Sequence, residues 1–217
     1  MQRVIIGCGT GRCGTVSLAV LLQAQEGVYA THERDPVLPW RIDLRLFSIR
    51  LAQFRQCDET FVADVAFYYL PYIPYLLKEF SDLRVIVLRR DKKETVRSFL
   101  AKLGRRHHFL EAPQEWGYQA DPKWDPCFPK YPPMDLEAAL HLYWEEYYWI
   151  ADEYARKWPE NIRIFEIDAL NSERGQCEIL KFAGIPEPHK HILPIRFNVG
   201  PYGYREIPKE VKEGHIT

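Results

Sequence analysis

An alternation of two residue spacings constrains this chain most. Short apolar, β-branched runs at residues 4–6, 28–32, 61–65, 84–88 and 162–167 read as strands. Between them the spacing turns helical. Apolar residues recur at Val16, Leu18, Leu21 and Leu22 over 14–25, and at Leu44, Phe47, Leu51 and Phe54 over 43–54. Residues 68–80 read as a helix interrupted by proline. Further helices are expected over 92–103, over 135–158 with Asp135 as N-cap, and over 173–183, ending at Gly184. Strands separated by helices run parallel, because each crossover carries the chain back to the end of the sheet from which it started. The expected fold class is therefore α/β, a mainly parallel sheet with helices on both faces. Ligands of such sheets sit at the carboxyl ends of the strands. The ends in question are 7–15, 32–34, 64–66 and 89–91, where polar residues follow the apolar runs.

Size and composition narrow the class of function. The 217 residues suit a single domain spanning 1–217. Its periodicity lapses at about 105–133, read as an irregular, aromatic-rich insert or lid. A basic run at 102–108 leads into Trp116, Tyr118, Trp124, Phe128 and Tyr131. This stretch reads either as a lid over an acceptor or as a surface loop pinned by its aromatics. Tyr143, Trp144, Tyr147, Tyr148 and Trp149 crowd one helix and read mostly as core, and the tail from 189 to 217 is irregular. With a net charge of −1, no global field attracts nucleic acid or an anionic membrane. The five cysteines form no CxxC pair and no Cys/His metal spacing, so a reduced, cytoplasmic protein without a metal is expected. No N-terminal signal core is evident, and no apolar run approaches the ~18 residues of a membrane span.

The stretch at 3–18, RVIIGCGTGRCGTVSL, carries four glycines within residues 7–14 and joins the first strand to a helix N-terminus. Such a loop offers unpaired backbone N–H groups and the positive end of a helix dipole to an anion. Three chemistries compete for it. A nucleoside triphosphatase loop needs lysine where Thr15 stands, although Gly9 and Gly14 are correctly spaced. A dinucleotide fingerprint is met by Gly9, Gly11 and Gly14, with Glu33 near the place of the ribose-binding acid. Against it, Gly7 already follows the strand, and Arg12 brings a cation where that motif relies on backbone alone. The third chemistry is sulfuryl transfer. The run Arg12, Cys13, Gly14, Thr15, Val16, Ser17, Leu18 resembles the 5′-phosphosulfate loop of sulfotransferases that use 3′-phosphoadenosine 5′-phosphosulfate (PAPS). That family typically shows a basic residue, Ser, Gly, Thr, Thr and an apolar residue, so Cys13 and Val16 depart from it.

A second stretch bears on the choice. RVIVLRRDKKETVRSFLAKLG ends a strand in Arg89, Arg90 and Asp91 and places Ser98 eight residues after Arg90. The same family has an Arg at this strand end and a Ser eight residues later, both for the 3′-phosphate; Lys92 departs from a frequent proline. The resemblance extends loosely over the rest of the chain. Ile167-Asp168-Ala169-Leu170 stands where the family often reads Tyr-Glu-Asp-Leu, and RFNVGPYG at 196–203 stands where a glycine-bearing tail loop covers the cofactor.

The resemblance implies a three-layer α/β/α fold of the P-loop nucleoside triphosphatase type, with PAPS as cosubstrate and adenosine 3′,5′-bisphosphate (PAP) as product. It implies that Gly9, Thr10, Gly11, Arg12, Cys13, Gly14, Thr15, Val16 and Ser17 hold the 5′ end, and that Arg90 and Ser98, with Lys102 one turn on, hold the 3′-phosphate. Arg12 is then placed to stabilise charge on the bridging oxygen. The general base is expected at Glu33 first, as in the tyrosyl-protein branch of the family, then His32, then Asp64. Strand alternation predicts that only one of His32 and Glu33 faces the cleft. The acceptor (a small molecule, glycan, lipid or peptide) is not legible. A dinucleotide-dependent oxidoreductase and a nucleotide-binding module without catalysis remain as rivals.

Overall fold

The computed structural model describes residues 2–103, 108–111 and 120–192. Five strands, β1 (Arg3–Cys8), β2 (Val28–His32), β3 (Phe61–Val65), β4 (Arg84–Arg89) and β5 (Ile162–Glu166), form one sheet in the order β2-β3-β1-β4-β5. Every pairing is parallel. Among the described residues the helices are α1 (Thr15–Gln23), α2 (Leu44–Arg55), α3 (Ile73–Glu79), α4 (Lys92–Leu103), α5 (Leu136–Lys157) and α6 (Glu173–Ala183).

The expected three layers follow from strand alternation. Val4, Ile6 and Cys8 of β1 and Val85 and Val87 of β4 pack with residues of α2 to α5, whereas Ile5, Ile86 and Leu88 pack with α1 and α6. With both faces covered, the central strands read as continuous apolar runs. The helix starts use local chemistry. The Asp43, Asp135 and Ser172 side chains accept backbone N–H bonds at the first turns of α2, α5 and α6. Gly184 closes α6 with φ 77°, the left-handed value that favours glycine.

Three details differ from the sequence expectation. The helix expected over 68–80 is two pieces, a 3-10 turn at Phe67–Tyr72 with Pro71 inside it, then α3 with Pro74 in its first turn. Pro71 has no N–H to give a continuous helix, while Pro74 falls where that N–H is not needed. The last strand stops at Glu166, and Ile167 opens a further 3-10 turn. In the segment at 105–133, Phe109, Leu110, Cys127 and Phe128 are buried, and Phe128 stacks on Phe67 with ring centroids 4.4 Å apart. These described parts are therefore a wall of the core; Trp116 and Tyr118 lie outside the described residues. Of the aromatics on α5, Tyr143, Tyr147 and Tyr148 are core as expected, but Trp149 is 66% exposed.

One polar cluster lies inside this core. Arg50 of α2 and Asp64 of β3 are both fully buried and form an ion pair. Asp64 also accepts from Tyr69 Oη at 2.6 Å and Thr31 Oγ1 at 2.8 Å. Arg50 further donates to the backbone carbonyls of Arg34 and Pro36. A buried pair adds little net stability over an apolar pair, but losing one partner strands a charge. Arg50→Ala is expected to lower unfolding free energy by about 3–5 kcal/mol, read as a drop in urea midpoint. Arg50→Met combined with Asp64→Leu should recover part of that loss.

Candidate active site

Residues 9–14 join the central strand β1 to α1. Their backbone is bent by positive φ at Gly9 (154°), Gly11 (82°), Arg12 (57°) and Gly14 (91°). A tight turn of this kind can bring successive backbone N–H groups to one side, the arrangement that suits an anion. At Gly9 a Cβ would lie 2.5 Å from the Leu88 carbonyl oxygen and from Cys13 Sγ, so only glycine fits there.

The inward side of this loop is satisfied by α5. Tyr147 Oη accepts from the Gly9 N–H at 3.0 Å and donates to the Phe67 carbonyl at 2.9 Å. Tyr143 donates to the Thr10 carbonyl at 2.9 Å, and Tyr148 to the Leu88 carbonyl at 2.7 Å. Burial pushes all three phenols well above their ordinary range, which keeps them neutral donors. Cys13 also faces inward. It is fully buried, and burial pushes its thiol up to about 11. Its departure from the family serine therefore removes no hydroxyl from the outer surface. Thr10 is buried and donates to the Gly11 carbonyl, Ser17 is buried, and Val16 is half-buried.

The two anion-binding stretches named from sequence meet. Arg12 Nε donates to Ser98 Oγ at 3.0 Å, and Arg90 donates to the Arg12 carbonyl at 3.0 Å. The Ser98 hydroxyl accepts from Arg12, so its own proton can be donated to a further acceptor. Arg90 is steadied by Glu94 at 3.1 Å and by Trp144, whose indole N–H donates to the Arg90 carbonyl. Its neighbour Arg89 faces the other way, against Asp152 and over the Tyr148 ring. Lys92 pairs with Glu145, and Lys102 is exposed in the last turn of α4.

The acid–base candidates separate clearly. Asp64 is occupied by Arg50, Tyr69 and Thr31 beneath the sheet end and has a structural task. His32 Nε2 bonds Thr15 Oγ1 at 3.1 Å, at the start of α1. Glu33 breaks the expected alternation. The strand stops at His32, and Glu33 takes φ 52°, which brings its carboxylate to 3.8 Å from His32 Nδ1. Both residues therefore lie on one side. Burial raises the Glu33 carboxyl, reinforced by Asp64, while His32, Lys123 and Arg12 pull it down. A raised carboxyl is a stronger base once ionised, which suits proton abstraction near neutral pH.

Sequence reasoning missed the groups that hold this site up. Arg50 interrupts the apolar stripe of α2, three residues after Phe47 and four before Phe54, a charge on a buried face that marked it. The tyrosines of α5 were read only as core. Ile167 and Leu170 pack against Gly14, where a Cβ would lie 3.2 Å from each. RFNVGPYG lies outside the described residues. Tyr147→Phe removes the acceptor of the buried Gly9 N–H, so unfolding free energy should fall by about 1–3 kcal/mol. Amide exchange at Gly9 should accelerate by more than at the strand β1 amides.

Strand order separates the rival folds. In a dinucleotide-binding sheet the first two strands are neighbours, which brings the acid after the second strand to the glycine loop. Here β3 lies between them, and this argues against the oxidoreductase reading. No helix among the described residues is long and apolar enough to cross a membrane. No family model matches the sequence, and no curated protein matches it. Solved structures do match in shape. A sulfotransferase from Alicyclobacillus acidocaldarius superposes with a TM-score of 0.57 at 14% identity, over 91% of this chain and 87% of that one. Mouse sulfotransferase SULT7A1 complexed with PAP gives a TM-score of 0.50 at 15% identity, over 86% of this chain and 60% of that one. The chain has the α/β fold of the sulfotransferases.

Proposed function

We propose that this protein is a PAPS-dependent sulfotransferase, moving a sulfuryl group to a hydroxyl or amine acceptor by in-line displacement. The observation that carries the reading is the direct bonding of Arg12 to Ser98 and of Arg90 to the Arg12 carbonyl. It joins a 5′-phosphate cradle to a cation and hydroxyl suited to a second phosphate on the same ligand. The shared fold with a protein complexed with PAP supports the same ligand class.

In this reading the outward backbone N–H groups of the loop between β1 and α1, with the Arg12 side chain, hold the 5′-phosphosulfate, while Thr10, Cys13 and Ser17 are buried beneath it. Arg90 and Ser98 position the 3′-phosphate, with Lys102 adding charge at the edge. Glu33 takes the acceptor proton as the acceptor oxygen or nitrogen bonds to sulfur. The bond from sulfur to the bridging phosphate oxygen breaks, and PAP leaves with the electron pair. Arg12 and the N–H groups of residues 13–15 stabilise the charge that grows on that oxygen. His32, bonded to Thr15 and close to Glu33, orients the base and is the alternative acceptor of the proton. The chain acts as one domain, in the cytoplasm, where its five free thiols stay reduced.

Calorimetry with PAP and with NAD tests the ligand. PAP is expected to bind and NAD not; binding of NAD alone sinks the reading, and PAP binding with no sulfate transfer to any acceptor leaves a binding module. Arg90→Ala should weaken PAP binding by about 1.5–3 kcal/mol, since it removes a charge-assisted partner. The Glu33 base is tested by pH. An ionised carboxylate is the active form, so turnover should rise through a pKa above the ordinary glutamate value of about 4.3. Glu33→Gln should abolish that limb and lower turnover by roughly 10²- to 10⁴-fold.

A further inference from the structure

The last described residues run along α6 in a regular register. Glu173, Cys177 and Lys181 recur four apart on one face of the helix. Opposite them, in reverse order, stand His191, His189 and Glu187. His191 lies 3.9 Å from Glu173, and Glu187 lies 3.1 Å from Lys181. The backbone of this segment is held by two buried glutamines, Gln25 just beyond α1 and Gln176 of α6 itself. Gln25 exchanges a pair of hydrogen bonds with the Lys190 backbone, at 2.7 and 2.9 Å. Gln176 does the same for Ile192, at 3.2 and 2.9 Å. The two amides take the place of a neighbouring strand and set which side chains turn toward α6.

Between the two outer pairs, Cys177, Glu187 and His189 converge, with one donor atom of each within 4.8 Å of the others. We propose that these three residues bind a divalent cation of the zinc class, stapling the segment at 187–191 to α6. The donor set is thiolate, carboxylate and imidazole, the set zinc takes, whereas magnesium and calcium ask for oxygen alone. His189 is prepared for the task. Its Nε2–H donates to the Ile185 carbonyl at 2.8 Å, which in the neutral ring leaves Nδ1 with the free lone pair. Ligating histidines are commonly oriented by such a bond to a backbone carbonyl. Zinc bonds of about 2.0–2.3 Å put tetrahedral donors roughly 3.5 Å apart, so donors within 4.8 Å of one another close by no more than about 1.3 Å. The exposed Glu187 carboxylate can supply most of that movement, and its exposure leaves the fourth position to water. Lys181 already places an ammonium beside Glu187 and Cys177; the site draws a cation, and the metal displaces this one. The spacing Cys-x9-Glu-x-His matches no familiar ligand pattern, which is why the sequence reading expected no metal.

The test is a cobalt(II) titration of tag-free, reduced, metal-stripped protein, with zinc(II) affinity measured by competition against a chelating dye. One equivalent is expected, with a thiolate-to-cobalt charge-transfer band. Cys177→Ser and His189→Ala should each lose the band and weaken zinc binding by at least the roughly 10- to 100-fold that losing an outer-shell partner costs. Matching thermal unfolding of all three proteins in chelator establishes that the variants are folded. A wild-type protein with no thiolate band, or a Cys177→Ser variant that binds zinc as tightly as wild type, overturns the proposal.

Discussion

A loop can turn its N–H groups outward to an anion only if its inward half is satisfied without water. In this protein helix α5 meets that requirement. The hydroxyls of Tyr143, Tyr147 and Tyr148 bond the Thr10 carbonyl, the Gly9 N–H and the Leu88 carbonyl from below. Phenols suit this task because their rings fill the core while one polar atom reaches the backbone. The requirement then propagates. α5 must pack against the loop, so β4 and α4 must bring its partners alongside, and Trp144 on the same helix reaches the Arg90 carbonyl. One helix thus supports both stretches proposed to bind anions, and their relative position is set by a rigid element.

The side that carries Glu33, the proposed base, is held by a different network with the same logic. Glu33 sits in a left-handed conformation that a non-glycine residue adopts at a cost. Its N–H bonds the Val65 carbonyl at 3.1 Å, and the segment just after it is gripped by Arg50 through the Arg34 and Pro36 carbonyls. Arg50 is itself held by Asp64, Tyr69 and Gln53. Buried charge is a poor source of stability. It is well suited to fixing one backbone path among several, because a fully paired guanidinium tolerates few arrangements of its acceptors.

Much of the fold was legible because burial on both faces leaves a strong signature. The runs at 28–32 and 61–65 read as strands and are strands with the same bounds. Asp135 read as an N-cap and accepts the Ala138 N–H. The helix read as proline-interrupted is interrupted, and what the sequence left open was the form of the break, because Pro71 and Pro74 act oppositely according to their place in a turn. In the candidate site, the sequence pointed to charged residues that do come together, and said less about their orientations. Arg12, Ser98 and Arg90 come together, but Cys13 turns inward, and Glu33 turns back beside His32 where the strand has ended. Periodicity says which way a side chain points only while the strand continues.

What the sequence determined by itself was the set of local units. Each strand, each helix cap and the glycine-rich turn is written within a few consecutive residues, because hydrogen bonding and φ preference act at that range. What only the tertiary structure decided was adjacency. The placing of β3 between β1 and β2, which separates this fold from a dinucleotide-binding one, depends on how whole layers bury their apolar faces. The diversion of Asp64 from chemistry into a buried pair, and the meeting of Cys177 with His189, depend likewise on contacts between distant segments. No local pattern encodes such contacts, because the free energy that selects them belongs to the packed core as a whole.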